Sequence, residues 1–181
     1  MSLEPRAVSL AVTLLVFVAM LLESRLSRSN ERALRARGAI EPPDDVYPTM
    51  LWAYPASFLA MGLEGALFGP EPGLTTVCGA LVFGAGKAIK YWAIASLGPR
   101  WTFRVLVLPG APLVTRGPYA WLRHPNYIGI VGELLGMALL VGAIVTGAVA
   151  TVGFAFVLRR RITIEERALS LGKKAEYAGK H

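Results

Sequence analysis

Apolar residues in this chain come in long blocks separated by short polar stretches. Ala7 to Leu22 carries no charge, Met50 to Phe68 carries only Glu64, Leu74 to Leu97 carries Lys87 and Lys90, and Ile128 to Leu158 carries only Glu133. A helix needs about 20 mostly apolar residues to cross a bilayer, so each of the first three blocks predicts one membrane helix. The last block is too long for one ordinary span and short for two. Arg116 and Arg123 precede it, and Arg159, Arg160 and Arg161 follow it. Both ends therefore belong on one side, and the block predicts a tight helical hairpin turning near Val141 to Ala143. The expected fold is an all-α membrane protein of about five transmembrane helices.

Gly98 to Pro125 has a different pattern. It contains Pro99, Pro109, Pro112, Pro118 and Pro125, with Gly110 and Gly117. Proline withholds a backbone donor and fixes φ, so a regular helix is not expected there. Its Trp, Tyr, Leu and Val content argues against disorder, and a long ordered loop is usually functional. The segment reads as an irregular, cytoplasmic-side pocket wall.

Composition supports the membrane reading. Of 181 residues, 54% are hydrophobic and 17% charged, a lower charge than soluble domains carry. The length suits a single domain over 1–181, with two helices and a basic loop in 1–73 and the motif-bearing core in 74–181. The pI near 9.9 raises the question of nucleic acid. However, the basic residues flank the apolar blocks and form no continuous stripe, so no nucleic-acid partner is expected. The loop from Glu23 to Asp45 carries Arg25, Arg28, Arg32, Arg35 and Arg37, whereas the turn from Gly69 to Gly73 has no Lys or Arg. The positive-inside rule then predicts an outside N-terminus and a cytoplasmic C-terminus. No small-residue cleavage site follows the first block, where Glu23, Ser24 and Arg25 stand, so it reads as a retained helix. The single cysteine, Cys78, precludes an internal disulfide, and with two histidines in the chain no metal centre is expected.

Two motifs carry candidate chemistry. Arg123-His124-Pro125-Asn126-Tyr127-Ile128-Gly129 sits where the irregular segment meets an apolar helix. Pro125 suits a first helical turn, and the free amides of a helix start favour a carboxylate. The plainer alternative is an interfacial belt of Arg, His and Tyr. The second motif is Arg161-Ile162-Thr163-Ile164-Glu165-Glu166-Arg167-Ala168-Leu169. Arg161 and Glu165 are four apart and share a helix face. The plainer alternative is a surface ion pair worth about 0.2–1 kcal/mol. Glu64, Lys87, Lys90 and Glu133 are costly within a membrane and must face protein or water. A Lys87–Glu64 pair and substrate contact are both open. Gly132 and Gly136 suggest helix packing. Gly84 and Gly86 follow no strand and are no dinucleotide fingerprint.

In this order, R-H-P-x-Y-x-G, a hydrophobic stretch and a glutamate pair, the motifs resemble the isoprenylcysteine carboxyl methyltransferase family of membrane enzymes. The resemblance extends upstream through Leu97-Gly98-Pro99-Arg100-Trp101-Thr102 and Leu113-Val114-Thr115-Arg116-Gly117-Pro118-Tyr119. Downstream it reaches Leu171-Gly172 and Glu176-Tyr177, and it covers residues 75 to 178. It implies S-adenosylmethionine as cofactor, lined by Leu113, Val114, Tyr119, His124, Pro125, Asn126 and Tyr127, with Glu165 facing it. Arg161 would hold the acceptor oxygen. Family members often carry histidine two residues before the Leu-Val pair, and Ala111 stands here, which puts one cofactor contact in doubt.

The resemblance also implies a bacterial inner-membrane setting with a cytoplasmic active site, and membrane lipids and a lipophilic or prenylated substrate as partners. Leu108-Pro109-Gly110, Asn126, Glu133 and the Ile164-Glu165-Glu166-x-Ala168-Leu169 ending look like bacterial members that act on alkylpyrones or alkylresorcinols. A phenol or enol acceptor must lose a proton, and Glu133 is the candidate base. Membrane sterol and steroid reductases that bind NADPH share R-H-P-N-Y-x-G and form the rival expectation, but Glu165-Glu166 and Ala168-Leu169 favour the methyltransferase. A non-enzymatic membrane scaffold is the third reading, and it leaves the irregular segment unexplained.

Overall fold

A computed structural model describes residues 4–69 and 73–178, with backbone alone for 171–178. Leu171-Gly172 and Glu176-Tyr177 therefore lie outside the described side chains, and most of the Gly69 to Gly73 turn lies outside the described residues. Five α-helices follow in order: α1 (Pro5–Ala36), α2 (Tyr47–Phe68), α3 (Leu74–Leu97), α4 (Pro125–Val141) and α5 (Ile144–Ala178). Between α3 and α4 run only two short 3-10 turns, Gly98–Arg100 and Gly117–Ala120, as its prolines require.

α1 departs from expectation. The apolar block was expected to end near Leu22 and a loop to follow, yet the helix continues to Ala36. No proline or glycine occurs between Glu23 and Ala36, so nothing stops it before Gly38, whose φ is +84°. At 1.5 Å per residue α1 is about 48 Å long, well beyond the roughly 30 Å hydrocarbon core. The added turns hold the irregular segment. Asn30 Nδ2 donates to Trp101 O at 2.8 Å, and Phe103 N donates to Ser27 Oγ at 2.8 Å.

α3 and α4 approach closely because glycines line their seam. A Cβ added at Gly86 would lie 2.8 Å from Glu133 N, one at Gly132 3.0 Å from Gly86 Cα, and one at Gly136 would overlap the Phe83 backbone. The packing expected of Gly132 and Gly136 is thus observed. α4 ends on Gly142 at φ +69°, and two residues later α5 begins. Glu64 caps that start, accepting from Val145 N at 3.0 Å and Thr146 N at 2.7 Å.

Glu64 is therefore not the partner of Lys87. Four charges form a buried cluster instead. Lys87 Nζ lies 3.2 Å from Glu23 and 3.0 Å from Glu133, and Lys90 Nζ lies 2.7 Å from Glu23 and 3.1 Å from Glu133. Tyr54 Oη donates to Glu133 at 2.8 Å. Two ammoniums and two carboxylates cancel, which is how an apolar interior tolerates them.

The outer surface is apolar. Leu14, Leu15, Leu67, Phe68, Leu81, Val149 and Phe156 are all more than 60% exposed, a pattern that marks a lipid-facing belt. Among the described residues, Pro5–Ala36 and Leu74–Arg100 are long and apolar enough to cross a membrane. The loop 37–46, the segment 98–124 and the far half of α5 gather at one end of the bundle. Ile40 and Val107 exchange backbone bonds of 2.8 and 3.0 Å, Arg104 pairs with Glu41 at 2.6 Å, and Arg167 pairs with Asp44.

Candidate functional site

Pro125 opens α4, and His124 is its N-cap residue. A proline at this position loses no helical hydrogen bond, so the helix starts where the motif stands. The rings of His124 and Tyr127 stack, 16° apart in plane with centroids at 5.5 Å. α5 runs back along α4 and brings the glutamate pair to this end. His124 Nε2 lies 3.3 Å from Glu166 Oε1, and His124 Nδ1 lies 3.8 Å from Glu165 Oε2. Tyr127 Oη donates to Glu165. The two motifs, read separately along the chain, thus meet in one cluster. Glu165 keeps 33% of its side chain exposed and Glu166 48%, so both remain part open to solvent while one oxygen of each meets the cluster.

The irregular segment is pinned around this cluster. Arg116 Nε donates to Ser96 O at 3.1 Å, and Arg100 donates to Pro112 O. Gly117 has φ +60°, and a Cβ there would strike Ser96 Oγ, so glycine alone fits that turn. Pro118 is buried, and Tyr119 follows it near Glu165. Burial, with the Glu165 carboxylate nearby, pushes the Tyr119 hydroxyl well above its ordinary pKa and keeps it a neutral donor. Leu113 is 47% exposed and Val114 half-buried on the same segment. Asn126 Oδ1 is buried and has no hydrogen-bond partner.

Arg161 does not make the surface pair with Glu165 that its spacing allowed. Its Nη1 meets Asp45, its Nη2 donates to Phe103 O and its Nε donates to Tyr127 Oη at 3.3 Å. Both Arg161 and Asp45 have side chains only 5% exposed. A buried guanidinium takes the partners that satisfy it most fully, and the loop before α2 supplies a carboxylate that Glu165 does not. Glu133 is not part of this cluster, since its oxygens face Lys87, Lys90 and Tyr54.

Asp45 was not singled out from sequence. Its position just before α2, after Pro42-Pro43, signals a helix start, and Tyr47 N indeed donates to it at 3.1 Å. Nothing local signals its pairing with Arg161. Two surface depressions flank that pair. One of about 270 Å³ is lined by Asp44, Arg159, Arg160, Thr163, Ile164 and Arg167, and the other, about 310 Å³, by Glu41, Pro42, Pro43, Asp45, Pro48 and Arg104. Neither is lined by the residues expected to contact a cofactor. Among the described residues no group of three His, Cys, Asp or Glu is arranged to hold a metal ion.

Residues 77–171 match the isoprenylcysteine carboxyl methyltransferase family. The uncharacterized protein YpbQ of Bacillus subtilis is 35% identical over 147 residues, covering 81% of this chain and 88% of its own. An uncharacterized protein of Haemophilus influenzae is 28% identical over 146 residues, covering 80% of this chain and 85% of its own. No solved structure matches significantly. The family match gives no support to the reductase expectation. Covering over half of the chain, and carrying both motifs that meet at the start of α4, it shows that this membrane protein belongs to the isoprenylcysteine carboxyl methyltransferase family.

Proposed function

We propose that the protein transfers a methyl group from S-adenosylmethionine to an oxygen of a lipophilic acceptor within the membrane. The acceptor is an isoprenylcysteine-type carboxylate or a polyketide-derived phenol or pyrone. The observation that carries this reading is the meeting of His124, Tyr127, Glu165 and Glu166 at one end of a lipid-facing helix pair.

The residues present fit the cofactor. Glu165, part exposed, suits its ammonium and the positive sulfur. Asn126 Oδ1, buried without a donor, suits one of its N–H or O–H groups. Leu113 and Val114 offer apolar surface for the adenine, and Tyr119 a neutral donor. His124, Pro125 and Tyr127 would shape the wall at the start of α4. When bound, S-adenosylmethionine supplies an electrophilic methyl group. The chain's own work is alignment, which lowers the barrier by holding acceptor and donor in line. Arg161 commits three N–H groups to Asp45, Phe103 and Tyr127, and by valence two remain for an acceptor oxygen. We assign Glu133 to holding α4 in the neutral cluster rather than to proton transfer.

In this reading 1–181 form one domain, with 74–181 as its catalytic core. All five helices are membrane-embedded and α4–α5 form the hairpin. The N-terminus lies outside, and the cofactor site lies on the cytoplasmic face of a bacterial inner membrane.

The test is thermal and calorimetric. S-adenosylhomocysteine, and not NADPH, should stabilise the detergent-purified protein. Glu165→Ala and His124→Ala should each weaken S-adenosylhomocysteine binding by about tenfold or more, near 1.4 kcal/mol, with ligand-free stability almost kept. Unchanged affinity in both variants would remove them from the site.

A further inference from the structure

Asp45 lies outside the family match, which begins at residue 77. Its buried carboxylate nevertheless ties together three parts of the chain, the start of α2, the irregular segment and α5. Oδ1 accepts from Arg161 Nη1 and from Tyr47 N at 3.1 Å, and Oδ2 accepts from Val105 N at 2.9 Å. Arg161 then donates to Phe103 O and to Tyr127 Oη, and Tyr127 Oη donates to Glu165. The bonds run in one direction. With Arg161 on its lone pair, the tyrosine hydroxyl has its single proton left for Glu165.

Arg161 and Glu165 are also one helical turn apart on α5, the spacing at which opposite charges pair. They do not pair because Asp45 already holds the guanidinium. Remove that negative charge, and a cation only 4% exposed has Glu165 as the next carboxylate along its own helix. Glu165 drawn into such a pair would leave its place on Tyr127 and beside His124.

We propose that Asp45 is a positioning residue: by neutralising Arg161 it keeps Glu165 out of an ion pair with that arginine and leaves it, held by Tyr127, for the ammonium of the cofactor. The inference rests on the cofactor reading above. It makes the loop before α2, which differs in sequence position from both motifs, a working part of the site.

The experiment measures S-adenosylhomocysteine affinity by calorimetry, and thermal stability in parallel, on full-length protein in detergent. Asp45→Asn should weaken binding about tenfold or more. Adding Arg161→Gln to it removes the unpaired cation, and affinity should return to within about threefold of wild type although stability stays lowered. Asp45→Glu keeps the charge and should bind better than Asp45→Asn. A purely structural Asp45 predicts the opposite order, with the double variant no better than the single one, and that result overturns the proposal. Unchanged affinity in Asp45→Asn also overturns it, while leaving the cofactor reading intact. If wild type itself fails to bind S-adenosylhomocysteine, both fall together. Should Asp45→Asn not fold, the double variant and Asp45→Glu decide: a tenfold loss in both overturns the proposal.

Discussion

The guanidinium of Arg161 touches three stretches of chain that are far apart in sequence: Asp45, Phe103 and Tyr127. Its planar fork suits this, and an ammonium on a flexible stem does not. Arg161→Lys should keep the charge opposite Asp45 and lose the bonds to Phe103 O and Tyr127. Turnover at saturating cofactor should fall by roughly tenfold to 150-fold, the worth of a charge-assisted hydrogen bond of about 1.5–3 kcal/mol made in the transition state. Steady-state kinetics check this, and full turnover would take Arg161 out of acceptor handling. At this scale the sequence was half legible. The four-residue spacing put Arg161 and Glu165 on one face, and the helix bears that out. Which carboxylate Arg161 takes depends on a residue 116 positions earlier, and no local pattern encodes that distance.

Among the elements, α3 and α4 show most plainly how residue choice sets geometry. Gly136→Ala would drive a methyl group into the Phe83 backbone, whereas Gly84, on the same helix pair, has nothing within 4 Å of an added Cβ. Gly136→Ala should therefore cost about 1–3 kcal/mol, and Gly84→Ala almost nothing, in thermal unfolding of the detergent-solubilised protein. Comparable losses in both would mean that the seam does not depend on close approach.

The loop between α1 and α2 is held by charge. Burial alone would raise the Glu41 carboxyl, but hydrogen bonds from Arg35 and Arg104 outweigh it and hold the group below its ordinary pKa. A carboxyl lowered on folding stabilises fully above its unfolded value, and that contribution fades as the pH falls through the folded value. Glu41→Gln should thus be less stable than wild type by about 1 kcal/mol at pH 7. The gap should close on acidification below about pH 4. A gap independent of pH would assign the loss to packing. The start of α4 was legible at this scale because Pro125 announces it. The end of α1 was not, because hydropathy marks where the apolar face stops and says nothing of where the helix stops.

In the whole molecule, loop 37–46, segment 98–124 and Arg159–Arg167 share one end, and that end carries most of the arginines. A reporter fused to the C-terminus should therefore signal from the cytoplasm and one fused to the N-terminus from outside. A cytoplasmic signal from the N-terminal fusion would sink the proposed topology. The order of the helices was readable from the apolar blocks. The buried cluster was not, since Glu23 looked like the first residue of a loop, and Glu64 looked as good a partner for Lys87 as any.

That cluster also bears on how the chain is made. Glu23 leaves the ribosome long before Lys87 and Lys90, and both lysines before Glu133. α1 is therefore made with Glu23 before either lysine exists, and α3 sets two lysines against one carboxylate until Glu133 follows. A lone carboxylate or ammonium at that depth costs a few kcal/mol on insertion scales. α1 can settle fully only when α3 arrives, and α3 only when α4 does. A chain stopped after α2 thus holds Glu23 with neither of its lysines, and only the arrival of α4 balances the set.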